Sequence, residues 1–470
     1  MAEIEWPTVA ELADQVRRKE RAAVEVVDQA LAAIEAGNDA LNACVVVDAE
    51  LARRAAADVD ATVARGEDPG PLAGVPFGVK DLEDCAGLPT SHGSLLFKDG
   101  PPAEEDSVQV GRMRAAGAVP LGKTAAPEFG TLNFTKTKAW GVTRNPWDLA
   151  RTPGGSSGGS AAAVGAGLVP IATASDGGGS TRIPAGFTGL VGLKAGYGRI
   201  PNIGASGSQT AVNGVLTTTV ADAARHLDVV AGPDLRVRTS LPAPGVSYER
   251  AIEELDTAGI RARWSLDLGF ATVDPEVGEL TAAAAAELAS AAGLALDDDP
   301  VELTDPVRTW LSNGGLDLWL DVEEGSWPSI ADDLTRYSRS VLEQTHGLTA
   351  PSIAKALRHR ARLEREVGDL FGEVDVLLSP TTAVPAFAAE GPPPSEIAGT
   401  PVGPAMATPF TMLGNLCWNP SVSVPVGVTS EGLPVGLLVT VTLHRDDLAL
   451  RLARVWEQTR PWPRWAPSAS

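Results

Sequence analysis

The sequence predicts a mixed α/β protein, a β-sheet core covered by α-helices on both faces. Three observations carry this expectation. Between residues 70 and 235, short apolar runs alternate with Ala-rich or Gly-rich segments. Ala-rich stretches with helical spacing stand on either side of that region. Strand-like runs return after residue 370. Alternation of this kind belongs to sheets that bury their faces under helices.

The elements follow in order. Residues 8–64 read as helix: Leu12, Val16, Ala23, Val27, Leu31 and Ile34 recur at spacings of three, four and seven, one apolar face of a helical wheel. Asn38 to Asn42 breaks that run, and a second helix, AELARRAAADVDATVAR, follows. Across 70–232 the strand candidates are GVPFGVKD, AVPLGK, GLVPIATASD and GLVGLKA. Residues 235–370 read as a helical insertion or lid, with GELTAAAAAELASAAG and SIAKALRHRARLEREVGDLF as its helices. Residues 371–470 return to strands in DVLLSP, PSVSVPVG and LPVGLLVTVT and close on the helix DDLALRLARVWEQT, with a Pro-rich loop at 384–409. That return predicts one domain over 1–470 with an insertion, although length alone sets a prior of about three domains.

Composition excludes several function classes. With 38 basic against 60 acidic residues the net charge is −22, which argues against nucleic acid and anionic membranes as partners. No run of 18 uncharged apolar residues is present to span a bilayer. The acidic start MAEIEWPTVAEL does not resemble a signal peptide, so a cytoplasmic protein is expected. Cys44, Cys85 and Cys417 are scattered and odd in number, so neither a disulfide framework nor a metal site is expected.

Two patterns invite the wrong chemistry. GAVPLGKT, Gly117 to Thr124, fits the phosphate-loop pattern of an ATP-binding protein. Such a loop lies between a strand and a helix, whereas here the run itself reads as strand, with Lys123 at its end, and Pro127 and Gly130 oppose a helix after it. GSSGG, Gly155 to Gly159, fits the nucleophile-elbow pattern with Ser157 at its centre, but RTPG before it is no strand. A triad would also need a histidine. His226 and His359 read as helical and surface-facing, and His92, His346 and His444 sit in no setting that suggests a base.

Two Gly/Ser segments remain, TPGGSSGGSAAA (152–163) and SDGGGSTRIPAG (175–186). Embedded in apolar strand and helix, they are expected to be ordered. Ordered Gly177, Gly178, Gly179 and Ser180 point successive backbone N–H groups into one concavity, an anion site or oxyanion hole with the Ser180 hydroxyl at its rim. A serine nucleophile needs a base. Lys80, at the end of the apolar run in GVPFGVKD, is the candidate if burial lowers its pKa, with Asp81, Glu83 and Asp84 working against that if they point inward.

At these residues the chain resembles the amidase signature family. PLAGVPFGVKD, the long block TRNPWDLARTPGGSSGGSAAAVGAGLVPIATASDGGGSTRIPAGFTGLVGLKAGYGR and the closing NPSVSVPVGVTSEGLPVGLLVT are similar to the family's motifs in order. The resemblance covers 70–232 and about 370–460 and leaves 235–370 unmatched. It implies a Ser-Ser-Lys triad of Lys80, Ser156 and Ser180, with Ser180 the nucleophile, Ser156 the bridging serine on a cis peptide bond, and Ser157 second in rank to it. It implies oxyanion donors at Gly177 to Ser180, structural support from Asp176 and Arg182, and an acyl pocket near Phe129 and Gly130. The family often has Thr at the position of Gly177, and a Pro and an Arg where this chain has Ala195 and Thr218. No metal or cofactor is implied. The expected activity is hydrolysis of small hydrophobic amides or anilides through an acyl-enzyme, with aryl carbamates and esters as side activities, by a monomer or homodimer. A glutaminase-type subunit of an amidotransferase complex is the alternative. Trp310, Trp319 and Trp327 read as helix core, with a leaving-group pocket the alternative.

Overall fold

Apolar runs too short for helices line up here as the strands of a central sheet. The computed structural model describes residues 5–204, 207–297 and 299–467. The sheet's strands in chain order are β1 (Cys44–Val47), β2 (Pro76–Lys80), β3 (Val119–Thr124), β4 (Ile171–Asp176), β5 (Val191–Lys194), β6 (Val212–Thr217), β7 (Arg261–Trp264), β8 (Ala295–Asp297), β9 (Val376–Pro380), β10 (Ser421–Val428) and β11 (Pro434–Val441). Among the described residues they form one eleven-stranded sheet in the order β1-β3-β2-β4-β6-β5-β10-β11-β9-β7-β8. β2 runs parallel to both β3 and β4, with Gly78 opposite Ala172. That register brings the carboxyl ends of β2 and β4, Lys80 and Asp176, to the same edge.

Alternate residues of a strand face opposite sides, and β11 shows what each side buries. Leu437, Val439 and Val441 join the main core with Leu448 and Leu452 of the C-terminal helix Asp446–Thr459. Leu438 points the other way and joins Ile183 and Phe187 of the short helix Arg182–Thr188. Helices therefore cover both faces, as expected from the sequence. Among the described residues no helix is long and apolar enough to cross a membrane.

Four expectations need correction. The run read as one helix from residue 8 is two, Val9–Arg17 and Ala23–Leu41, broken where Lys19 takes φ +61°. All six residues of its predicted apolar face are nonetheless buried. Asn38 does not end the second helix, which runs to Leu41. Its side chain accepts from the Ala43 and Cys44 amides and so manages the exit into β1. The 235–370 block is not wholly helical, because β7 and β8 extend the sheet in parallel beyond β9. His226 is helical but not surface-facing: it is fully buried, and burial pushes its imidazole down to about 3.

Candidate active site

The end of β2 delivers Lys80 into a dry setting. Its side chain is fully buried. Its Nζ donates to the Ser156 Oγ at 2.8 Å, the Ser175 Oγ at 2.8 Å and the Ser175 carbonyl at 3.2 Å. Burial penalises the ammonium and lowers its pKa to about 7, against the opposing pull of Asp176 and Glu83. Of the nearby acids, Asp81 turns to Ser91, and Glu83 accepts from Ser107 while burial raises its own pKa. Neither carboxylate bonds to Lys80 among the described residues.

Ser156 follows a cis peptide bond from Gly155. Gly130 stands against it: a Cβ there would come within 3.1 Å of the Ser156 Oγ. Ser157, the adjacent candidate, begins the helix Gly158–Gly165 and is fully buried. Its Oγ donates to the Ser175 carbonyl at 3.3 Å and its N–H to the Ser180 carbonyl at 3.1 Å. No imidazole is among its partners in the described residues, and no strand leads into it. Of the two adjacent serines, the one whose hydroxyl meets Lys80 is therefore Ser156.

Past β4 the chain turns through Gly177–Ser180 into the helix Arg182–Thr188. The turn is built around Asp176, whose buried carboxylate accepts from Gly179 N at 2.7 Å, Thr181 N at 3.1 Å, Arg182 Nη2 at 2.7 Å and Asn415 Nδ2 at 3.0 Å. Burial alone would raise its pKa, but Arg182 first and Lys194 after it hold it far below the usual carboxylate range. Arg182, also fully buried, extends to Ser421 and Asn415. Both residues are supports of the turn, not groups at its open face.

The three glycines have different causes. A Cβ on Gly179, at φ +135°, would fall 2.2 Å from the Thr411 hydroxyl. One on Gly178 would fall 2.5 Å from the Trp310 indole. One on Gly177 would meet nothing nearer than 3.9 Å. The glycines thus make room for Trp310 and Thr411 behind the turn, rather than for an anion in front of it. The N–H of Gly179 is spent on Asp176. Those of Gly177, Gly178 and Ser180 have no acceptor among the described residues, and Ser180 is only half-buried. The site can therefore offer three amides and a hydroxyl to an incoming carbonyl, beside a lysine whose charged form is penalised.

Trp310, on the helix Val307–Gly314, packs against a core cluster with Leu413 and Leu416, and its indole Nε1 also donates to the Gly177 carbonyl at 2.7 Å. Trp319 and Trp327 do pack into a satellite cluster, which also takes in Phe129. Thr411 and Asn415, which hold the carbonyls of Gly178 and Asp176, escape sequence reasoning, as does Ser175. Lys123, of the phosphate-loop pattern, is buried at the end of β3 and donates to the Glu83 carbonyl and Thr90, with only a three-residue 3-10 turn, Glu128–Gly130, after it in place of the α-helix a phosphate loop needs. No cluster of three or more His, Cys, Asp or Glu placed to hold a metal ion occurs among the described residues.

The family model described as Amidase matches residues 25–450. The chain belongs to the amidase family. It is 34% identical to an acylamidase of Rhodococcus erythropolis, over 99% of this chain and 98% of that one. It is also 34% identical to a glutamyl-tRNA(Gln) amidotransferase subunit of a Synechococcus species, over 95% of this chain and 96% of that one. Among solved structures it is similar to a bacterial aryl acylamidase of the amidase signature family, with a TM-score of 0.92, 28% identity and 98% of each chain covered.

Proposed function

We propose that this amidase cleaves small, uncharged hydrophobic amides, aryl amides foremost, through an acyl-enzyme on Ser180. The observation that carries the reading is the buried Lys80 amine, 2.8 Å from the Ser156 Oγ and beside a turn whose Gly177, Gly178 and Ser180 N–H groups have no acceptor among the described residues. Neutral Lys80 accepts the Ser156 proton as Ser156 accepts that of Ser180. The Ser180 Oγ adds to the amide carbonyl carbon, and the N–H groups of Gly177, Gly178 and Ser180 receive the oxyanion. The relay returns its proton to the leaving nitrogen, the C–N bond breaks and the amine departs. Water, deprotonated by the same relay, cleaves the ester and releases the acid. Aryl carbamates and esters present the same carbonyl and are the expected side activities.

Preference for aromatic groups is supported by Trp310 beside the turn, by Phe129 with its neighbours Phe97 and His92, and by the likeness to an acylamidase and an aryl acylamidase. The three free thiols and the acidic charge fit a protein of a reducing, cytoplasmic compartment.

The likeness to an amidotransferase component favours a second reading, in which the chain releases ammonia within a complex. Purified chain, assayed alone with an acyl p-nitroanilide and with glutamine, separates the two. Turnover of the anilide, lost in Ser180→Ala, is expected. Inertness towards anilides, with glutamine turnover appearing only when partner subunits are added, would favour the second.

A further inference from the structure

The turn that precedes Ser180 has a back side, and that side is held by residues from outside the signature block. Three successive carbonyls are each taken by one side chain. Asn415 Nδ2 donates to the Asp176 carbonyl at 2.8 Å, Trp310 Nε1 to the Gly177 carbonyl at 2.7 Å and Thr411 Oγ1 to the Gly178 carbonyl at 2.7 Å. In a trans peptide the C=O of one residue and the N–H of the next share a plane and point in opposite directions. Holding the Gly177 carbonyl therefore aims the Gly178 N–H away from the indole. That N–H is one of the three without an acceptor among the described residues. A peptide between two glycines has the least intrinsic resistance to rotation of any in the chain. The indole removes that freedom twice, by its hydrogen bond and by lying where a Gly178 Cβ would stand.

We propose that Trp310 is a positioning residue for the reaction: a side chain from the 235–370 block that fixes the Gly178 N–H as an oxyanion donor. This rests on the acyl-enzyme reading above. It makes the 235–370 block a working part of the site rather than only a cover. It also ties turnover to the seating of the helix Val307–Gly314, which carries Trp310.

The test uses the full chain and an acyl p-nitroanilide. Trp310→Phe keeps a ring and loses the N–H. Its kcat is expected to fall about tenfold, the scale of one lost hydrogen bond, with KM changed less than about twofold. A trifluoromethyl ketone, whose adduct carries the oxyanion, is expected to bind more weakly by the same factor as kcat falls, which a merely structural lesion would not reproduce. A double-mutant cycle guards against misfolding. Gly178→Ala is expected to cost about a hundredfold in the native background, where it strikes the indole, and less than about fivefold more in Trp310→Ala. Unchanged kcat and ketone affinity in Trp310→Phe, or equal costs of Gly178→Ala in both backgrounds, would overturn the assignment of Trp310. Ser180→Ala is run beside them: full activity there overturns the acyl-enzyme reading itself, whereas an inactive Ser180→Ala with an unaltered Trp310→Phe overturns only the role of Trp310.

Discussion

A lysine ammonium takes up no proton, so Lys80 acts as a base only in its neutral form. In water that form is scarce below about pH 10. Burial brings the pKa to about 7 and makes the neutral amine available at physiological pH. The log of kcat/KM is therefore expected to fall with unit slope below about pH 7 and to level off above it. Initial rates from pH 5 to 9 check this, and a flat profile would contradict it. Lys80→Arg, which cannot deprotonate, is expected to be inactive at every pH. Lys80, Ser156 and Ser180 are legible because Gly/Ser runs inside apolar segments are anomalous, and because their pattern resembles a family. Trp310, Thr411 and Asn415 are not, since their partners lie 133, 233 and 239 positions away and no local pattern marks a residue for so distant a contact.

Elements bring these residues together through register. β2 and β4 run parallel as neighbours, so their ends form one ledge, and the turn after β4 hangs from it on Asp176. The positions of that turn differ in what they tolerate. Gly177→Ala is expected to change stability by less than about 0.5 kcal/mol, since a Cβ there meets only ordinary contacts. Gly179→Ala combines a backbone angle that side chains avoid with an overlap on Thr411, and is expected to cost about 3 kcal/mol. Urea unfolding of the two variants measures the difference, and equal costs would contradict it. Elements with a clear apolar period, such as β2, β10 and β11, are legible in the sequence. The strands β1, β6, β7 and β8 are not, since each takes its order from the neighbours it pairs with in the sheet.

For the whole molecule, burying lysines near the site has a cost that depends on pH. Lys194 is also held at about 7, by burial and by Arg182. Both lysines release their protons in the folded chain well before they do unfolded. From about pH 7 upward the unfolded chain binds more protons, so stability rises with pH. The window closes near pH 8.5, where unfolded thiols begin to ionise while burial pushes the folded Cys44, Cys85 and Cys417 up to about 12. Lys80→Met is expected to be more stable than the native chain at pH 7, by a margin that shrinks by about 2 kcal/mol by pH 8.5. A constant margin would mean that Lys80 keeps an ordinary pKa. The overall plan of helices on both faces of a mixed sheet is legible from alternation alone. The joining of the 235–370 block to the sheet edge is not, because RARW and ALD carry no strand signal by themselves.

The central claim is that Ser180 is the nucleophile. Labelling the purified chain with a fluorophosphonate and mapping the modified peptide by mass spectrometry tests it most directly. Modification at Ser180, lost in Lys80→Ala, is the predicted result. Modification at Ser157, or no modification of folded protein, would contradict it.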